Sequence, residues 1–266
     1  MRGRVLIVAG SDSGGGAGIQ ADIKTVTALG GYAMTAITAL TAQNTEGVFD
    51  IHEVPPAFVA RQMRVVLDDL GADCIKIGML HRPEVVEAVC DVLAAEGAGI
   101  PVVVDPVMVA KGGHALLTPD ATSALRRLVP MARILTPNLP EAEVLAECQG
   151  LEAGALAARL LALGPEAVLL KGGHRPGPMV VDLLVEASGF TETFESPRID
   201  TPHTHGTGCT LASAIATGLA QGMAIRDAVI RARAYVLEAI RTAPGYGRGH
   251  GPLNHAHPIG RFPPTG

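Results

Sequence analysis

The chain has 266 residues, of which 48% are hydrophobic and 18% are charged. This composition supplies enough apolar surface for a large core and excludes a disordered or collagen-like protein. The formal net charge is −5 and no run of basic residues occurs, which argues against nucleic acid and anionic membranes as the main partners.

Cysteine usage and the length of the apolar runs indicate the compartment. Cys74, Cys90, Cys148 and Cys209 show no CxxC spacing, which predicts reduced thiols in a cytoplasmic protein and no cysteine-based metal site. No apolar run reaches 18 residues, so no transmembrane helix is predicted. The apolar stretch Val5–Ala9 runs directly into Ser-Asp-Ser-Gly, and we interpret it as a first strand rather than a signal peptide.

Short apolar strands alternate with segments of helical period along the chain. The predicted order is strand 5–9, helix 17–29, strands 33–40 and 48–54, helix 57–70, strand 74–77, helix 83–96, strand 102–105, helix 121–128, strand 133–135, helices 140–146 and 152–163, strand 167–171, an antiparallel pair 180–185 and 190–195, and helices 210–221 and 225–241. This alternation predicts an α/β fold with a mainly parallel central sheet and helices on both faces. We expect a single domain over residues 1–266, with residues 244–266 as a surface tail.

Polar or glycine-rich segments follow several predicted strands, and ligands of parallel sheets bind at such carboxyl ends. The segments are Gly10–Gly18, Asp105–Met108, Thr136–Glu141 and Lys171–His174, and a fifth, Gly206–Cys209, opens a helix. Because these segments are far apart in the chain, any site that they form must be assembled by the fold.

The first glycine run leaves two roles open for Asp12. Gly16–Ala21 matches G-x-G-x-x-A, but the predicted strand ends about seven residues earlier and no acid follows at the required distance, so a dinucleotide site is poorly supported. A Walker A motif is absent. Asp12 would either bind a polar small molecule or cap the helix that begins near Ala17.

The segment Gly206-Thr-Gly-Cys209 is a stronger signal. Gly206 and Gly208 would allow backbone amides to converge on an anion, and the following helix adds its positive end. Such an arrangement stabilises negative charge on a transferring group. Cys209, in the first turn, is expected to have a lowered pKa because the helix dipole favours the thiolate. The alternative is a small cysteine that serves only helix packing.

Four further residues fit the chemistry of a phosphorylated ligand. Asp105 and Glu141 would hold a hard cation through oxygen ligands or waters. Asn138 and Lys171 would contact phosphates, the lysine as a mobile point charge. Together with the anion loop, and without a Walker motif, they suggest phosphoryl transfer.

Seven collinear motifs carry a family resemblance. They are Gly10–Asp22, Thr38–Asn44, Lys76–Leu80, Asp105–Met108, Thr136–Glu141, Lys171–His174 and His205–Thr210. Over roughly residues 3–258 the sequence resembles hydroxymethylpyrimidine/phosphomethylpyrimidine kinase of thiamine biosynthesis, a family of the ribokinase-like superfamily. The resemblance implies a three-layer α/β/α fold, a homodimer, and a kinase that uses ATP and Mg²⁺ to phosphorylate 4-amino-5-hydroxymethyl-2-methylpyrimidine and then its monophosphate.

The resemblance also assigns catalytic and nucleotide-binding roles. Most ribokinase-like enzymes carry an aspartate base at the position of Cys209, whereas the pyrimidine kinases often have cysteine, so Cys209 would accept the proton of the substrate hydroxyl. Gly206, Gly208 and the Cys209 amide would form the anion hole. The resemblance implies that the nucleotide is bound by Asn138, Glu141, Lys171 and Thr207, and that Lys171 also takes part in catalysis. It implies Asp105 and Glu141 as the metal ligands.

For the pyrimidine, Gly10, Gln43, Met79 and Val107 match the substrate positions of the family, and Asp12 is a further candidate. The Gln43 amide can donate and accept together, which suits a ring nitrogen beside an exocyclic amine. Without the resemblance, Gln43 reads as a polar loop residue after a strand.

Three rival functions remain open at this stage. A pyridoxal kinase would act on a related hydroxymethyl heterocycle. A non-catalytic small-molecule sensor could retain the same fold. In a thiol enzyme, Cys209 would act as a covalent nucleophile beside His203 or His205. The loop around Lys111 would either close over phosphate or carry an ordinary surface lysine.

Overall fold

The computed structural model describes residues 1–109, 113, 116, 118, 120–173 and 177–260. The strands are β1 (Arg4–Asp12), β2 (Tyr32–Gln43), β3 (Val48–Glu53), β4 (Cys74–Ile77), β5 (Val102–Val104), β6 (Ile134–Leu135), β7 (Ala167–Leu170), β8 (Met179–Glu186) and β9 (Thr191–Pro197). The α-helices are α1 (Gly18–Ala28), α2 (Pro56–Asp69), α3 (Pro83–Glu96), α4 (Ala121–Leu125), α5 (Leu139–Leu145), α6 (Ala153–Leu161), α7 (Thr207–Ala220) and α8 (Ile225–Arg241).

The strands form one nine-stranded sheet in the order β3-β2-β1-β4-β5-β6-β7-β8-β9. Strands β2, β1, β4, β5, β6 and β7 run parallel to one another. Strand β3 pairs antiparallel with β2 at one edge, and β8 and β9 form an antiparallel pair at the other, where β8 is also antiparallel to β7. The predicted mainly parallel sheet is therefore confirmed, as is the predicted antiparallel pair, now β8 and β9. The carboxyl ends of β1, β4, β5, β6 and β7 all lie at one edge of the sheet.

Alternate residues of β1 face two different cores. Leu6 and Val8 pack in the cluster that contains residues of α2 and α3, whereas Val5 and Ile7 pack in the cluster that contains residues of α1, α7 and α8. All four are fully buried. A strand that is apolar on both faces is typical of a parallel sheet between two helical layers. This confirms the three-layer α/β/α architecture.

Two helix boundaries differ from the prediction. Helix α7 begins at Thr207 rather than at residue 210, because Gly206 adopts a left-handed conformation (φ 81°) that ends the preceding loop. The helix predicted over 121–128 stops at Leu125 and is followed by a 3-10 turn, Val129–Met131. Pro130 lies in this turn and has no amide hydrogen to donate, so an α-helix could not continue unbroken through it.

The C-terminal tail is more deeply packed than the predicted surface tail. Leu253 and His255 are only 4% and 6% exposed. The Tyr235 hydroxyl donates to the His255 carbonyl at 2.8 Å, and the Asn254 amide donates to the Ala239 carbonyl at 3.0 Å. Burial lowers the pKa of His255 to about 4, so the buried imidazole is neutral at physiological pH. The last six residues of the tail lie outside the described part of the chain.

Candidate active site

The glycines before and inside the first turn of α7 allow a close approach between segments. A side chain at Gly206 would collide with the Gly16 carbonyl oxygen. A Cβ atom at Gly208 would lie 3.4 Å from both the Asp105 Oδ2 atom and the Lys171 Nζ atom. The first amides of a helix have no partner within the helix, and this turn lies beside the Asp105 and Lys171 side chains.

Lys171 sits between two carboxylates at the ends of β5 and β6. Its Nζ atom lies 2.8 Å from Asp105 Oδ1 and 3.9 Å from Glu141 Oε2. The Thr136 hydroxyl adds a hydrogen bond to Asp105 Oδ1 at 3.2 Å. The structure thus brings together Asp105, Glu141, Lys171 and the α7 terminus. The sequence predicted that any site built from these distant segments must be assembled by the fold.

Burial and mutual charge shift the pKa values of this cluster. Burial raises the pKa of Glu141 to about 7; the Lys171 ammonium opposes this rise and the Asp105 carboxylate adds to it. Burial alone would lower the pKa of Lys171, but Asp105 and Glu141 outweigh it and the pKa is raised. The cluster therefore keeps Lys171 charged and leaves the Glu141 carboxyl with a pKa near neutrality.

Asn138 and Glu141 hold each other through a capping box at the start of α5. The Glu141 amide donates to Asn138 Oδ1 at 2.9 Å, and the Asn138 amide donates to Glu141 Oε2 at 2.8 Å. This local pattern, Asn-Leu-Pro-Glu, fixes the Glu141 carboxylate at the strand end. The cap uses the oxygen of the Asn138 side chain, so a contact with phosphate would come from its Nδ2 amine.

Cys209 is partly exposed, but the predicted lowering of its pKa is wrong. Loss of hydration in its surroundings raises the pKa of the Cys209 thiol to about 12. The Lys76 ammonium and the Gly18 amide, which donates to the sulfur, lower the pKa, whereas Asp22 and Asp105 raise it. Desolvation and two nearby carboxylates thus exceed the effect of the helix dipole.

The sequence did not predict a buried ion pair that contacts α7 one turn after Cys209, at Ser213. The Lys76 Nζ and Asp22 Oδ2 atoms are 2.8 Å apart, and both side chains are fully buried. The Ser213 hydroxyl donates to Asp22 Oδ1 at 2.7 Å. Burial would lower the pKa of Lys76, but Asp22 outweighs it and the pKa is raised. The available signal was a lysine inside an apolar strand, Cys-Ile-Lys-Ile.

The predicted substrate residues Gly10, Met79 and Val107 come together near the end of β1. A Cβ atom at Gly10 would lie 3.1 Å from the Met79 sulfur. Met79 is 8% exposed and packs in a small apolar cluster that also contacts Val107. Met79 and Val107 can therefore form an apolar wall beside the sheet edge.

Asp12 and Gln43 are linked through His205. Asp12 accepts hydrogen bonds from the amides of Gly14, Gly16 and Ala17 at 2.8–3.0 Å and contacts His205 Nε2 at 2.8 Å. Burial would raise the pKa of Asp12, but His205 and the amides outweigh it and the pKa is lowered. Asp12 thus binds amides of the loop that precedes α1, up to the N-cap residue Ala17, and its role as a ligand of a polar small molecule stays a prediction. Gln43 Nε2 lies 3.4 Å from His205 Nε2.

The His205 Nε2 atom is thus engaged with Asp12 and not with Cys209. Two residues of the predicted motifs, Lys111 and His174, lie outside the described part of the chain.

The geometry agrees with comparisons to known proteins. A family model described as phosphomethylpyrimidine kinase matches residues 12–254. The chain belongs to this family. The hydroxymethylpyrimidine/phosphomethylpyrimidine kinase of Streptomyces coelicolor is 48% identical over 260 residues, which cover 96% of this chain and 95% of that protein.

Two further relatives place the family in a wider context. The thiamine biosynthesis bifunctional protein ThiED of Geobacter sulfurreducens is 54% identical over 258 residues, and the match covers 96% of this chain but only 52% of that protein. The chain thus spans about half the length of this relative. A solved Bacillus subtilis pyridoxal kinase in complex with ADP has a TM-score of 0.87 at 32% identity and covers 96% of this chain and 98% of that chain. The fold is the ribokinase-like fold that the resemblance implied.

The buried Lys76–Asp22 pair gives a stability prediction. Lys76→Met leaves the Asp22 carboxylate buried without its cation, and we expect the free energy of unfolding to fall by about 3–5 kcal/mol in urea denaturation. The double variant Lys76→Met/Asp22→Asn buries no unpaired charge and should recover at least half of that loss. Equal losses in the single and double variants would contradict the pairing.

Proposed function

We propose that this chain is an ATP-dependent kinase that phosphorylates 4-amino-5-hydroxymethyl-2-methylpyrimidine and then its monophosphate to the diphosphate, in thiamine biosynthesis. The observation that carries the proposal is the contact of the first α7 turn with Asp105 and Lys171 at Gly208. A helix terminus, a lysine and carboxylates are the groups that hold nucleotide phosphates with their cation. The names of the relatives from Streptomyces and Geobacter agree with this reaction.

The carboxylates of this site fit Mg²⁺. Asp105 and Glu141 already share a cation, the Lys171 ammonium, and the pKa of Glu141 is raised mainly by burial and further by the Asp105 carboxylate, whose charge a metal ion would balance. No group of three His, Cys, Asp or Glu side chains within the described residues could hold a metal. Two carboxylates supplemented by phosphate oxygens and waters are the usual ligands of protein-bound Mg²⁺. The ion would neutralise charge on the phosphate oxygens.

The nucleotide phosphates would lie between the α7 terminus and the end of β7. Lys171 supplies a charged donor, and Asn138 supplies the Nδ2 amine that its cap leaves unused. Thr207, the first residue of α7, adds a hydroxyl at the helix terminus, because its amide already donates to the Thr204 carbonyl at 3.4 Å. These groups come from separate strand ends, so the sheet fixes their spacing.

In the reaction, the hydroxymethyl oxygen of the substrate forms a bond to the γ-phosphorus as the bond from that phosphorus to the ADP oxygen breaks. The hydroxyl proton passes to the Cys209 thiolate, which becomes a thiol. The amides of Gly206, Gly208 and Cys209 hold the transferring group as its charge redistributes. The products are the phosphate ester and ADP.

The raised pKa of Cys209 has a direct consequence for this mechanism. Because that pKa is about 12, most Cys209 side chains carry their proton at neutral pH in the ligand-free protein. The Lys76 ammonium and the Gly18 amide favour the thiolate, so they are the groups that make base catalysis accessible. The reactive fraction then increases with pH.

Gln43, Met79, Val107 and Gly10 would bind the pyrimidine ring. The amide of Gln43 matches a ring nitrogen beside an exocyclic amine, and the apolar wall at Met79 covers the ring face. A pyridoxal kinase is the second candidate, favoured by the TM-score of 0.87 to the Bacillus subtilis enzyme. Its substrate is a hydroxymethyl pyridine, which would fill a similar pocket.

We further propose a single kinase domain that works as a cytoplasmic homodimer. One continuous sheet supports the single domain. The four cysteines are all free thiols, which is consistent with a reducing compartment. In the part of the chain that the structure describes, no helix has the length and hydropathy needed to cross a membrane.

The function is tested by resolving products. Purified protein incubated with ATP, Mg²⁺ and the hydroxymethylpyrimidine should yield the monophosphate first and the diphosphate later, with kcat/KM higher than for pyridoxal. A higher kcat/KM for pyridoxal would favour the second candidate. Binding of the pyrimidine without any ADP formation would favour a sensor and contradict the kinase.

The base is tested by the pH dependence of kcat. If Cys209 is the base, kcat should rise with pH above neutrality, by up to about tenfold per pH unit, because the thiolate fraction does. Cys209→Ala should lose at least about 100-fold in kcat with little change in KM for ATP. Cys209→Asp, which carries a carboxylate at neutral pH, should retain more activity with a flatter profile. Full kcat in Cys209→Ala would exclude the base role.

A further inference from the structure

His205 connects the first glycine loop with the polar end of the substrate pocket. Its side chain is mostly buried, and its Nε2 atom lies 2.8 Å from Asp12 Oδ2. Asp12 also accepts hydrogen bonds from three backbone amides, and its pKa is lowered. Its carboxylate oxygens therefore act only as acceptors. An acceptor-only carboxylate requires a hydrogen on the facing nitrogen. The His205 Nε2 atom is therefore the protonated nitrogen of the ring.

This hydrogen decides which way the Gln43 amide faces. The Thr41 hydroxyl lies 2.9 Å from the Ser11 carbonyl oxygen and 3.0 Å from one end of the Gln43 amide. A hydroxyl can donate or accept, so Thr41 can pair with either end of the amide. The His205 Nε2 hydrogen is directed to Asp12 and leaves no lone pair on that nitrogen, so Nε2 cannot accept from a Gln43 amine placed 3.4 Å away. The amide therefore takes the order in which its oxygen faces His205 and its amine faces Thr41. Rotating the Gln43 amide by 180° exchanges its oxygen and its nitrogen without changing its shape. The hydrogen-bond partners therefore decide which end faces which residue.

The tail keeps His205 in place. The His205 amide donates to the Gly251 carbonyl at 3.2 Å. A Cβ atom at Gly16 would lie 2.5 Å from the His205 ring and 3.2 Å from Pro252, so the ring fills the space between the glycine loop and the tail. The tail also contacts the Gln43 side of the pocket, because the His250 amide donates to the Thr45 carbonyl at 2.8 Å. Both ends of the His205–Gln43 contact are thus held by the tail.

We infer that His205, fixed by Asp12 and the tail, is a positioning residue that orders the Gln43 amide and thereby selects heterocycles with a ring nitrogen beside an exocyclic amine. The inference rests on the proposed function, since it takes Gln43 to contact the substrate. When the Gln43 amide is held in one orientation, its donor and its acceptor have fixed positions. They then match only one arrangement of ring nitrogen and exocyclic amine in the ligand. A freely rotating amide would accept either arrangement, and the discrimination would be lost.

The test compares binding of two ligands by calorimetry in the full chain without nucleotide. One ligand is the hydroxymethylpyrimidine, and the other is its analogue that lacks the 4-amino group. The wild-type protein should bind the amine-bearing ligand at least about tenfold more tightly. His205→Leu, which removes the donor, should reduce this ratio to about threefold or less. His205→Gln, whose amine can donate to Asp12, should preserve most of the ratio.

Several results would overturn the inference. They are an unchanged ratio in His205→Leu, an equal loss in His205→Gln, and a wild-type protein that binds both ligands alike. Thermal unfolding and KM for ATP report whether the variant has folded, and His205→Met replaces the leucine variant if that one has not. The readout needs no turnover, so a protein that binds with this preference but forms no ADP would contradict the kinase proposal and not the role of His205.

Discussion

The close approach of the α7 amino terminus to the Asp105–Lys171 pair is the constraint on which the rest of the site depends. Gly206 takes the left-handed turn that ends the loop, and Gly208 leaves room for the two charged side chains. The remainder of α7 is packed between sheet and helices, with most residues from Thr210 to Gly218 buried. A helix held this rigidly presents its free amides without reorganisation, which is what stabilisation of a transferring phosphoryl group requires.

Three hydrogen-bonded pairs surround this terminus, two of them ion pairs and the third a histidine with a carboxylate. Lys171 is paired with Asp105, Lys76 with Asp22, and His205 with Asp12, all with donor–acceptor distances of 2.8 Å. Buried charges are costly unless they are paired and hydrogen-bonded, so a cluster of this kind at one sheet edge indicates a polar ligand. Cys209 differs from these groups because its surroundings favour the neutral thiol. Catalysis would therefore depend on the cations and amides that offset that preference.

The sequence predicted the layers of the fold because its apolar periods are regular. Helix α3 was predicted with the bounds Pro83–Glu96 that the structure shows, and the two-sided burial of β1 follows from its unbroken apolar run. The strand-end motifs predicted which segments would meet. What could not be predicted are pairings between distant positions, such as Lys76 with Asp22, 54 residues apart, and His205 with Asp12, 193 residues apart. The pKa of Cys209 depends on the same pairings, so the expected lowering failed, and the burial of Leu253 and His255 in the tail depends on contacts with α8.

The most direct test of the central claim is the activity of Gly208→Ala. Its Cβ atom would make ordinary contacts at 3.4 Å with Asp105 and Lys171, so the fold should be retained and the helix slightly stabilised. The added methyl group would nevertheless occupy the space in which the phosphoryl group is held, and we expect kcat to fall about 100-fold or more. Gly154→Ala, in α6 where a Cβ atom meets nothing within 4 Å, serves as the control and should keep wild-type kcat. A Gly208→Ala enzyme with kcat within about threefold of wild type would contradict the account.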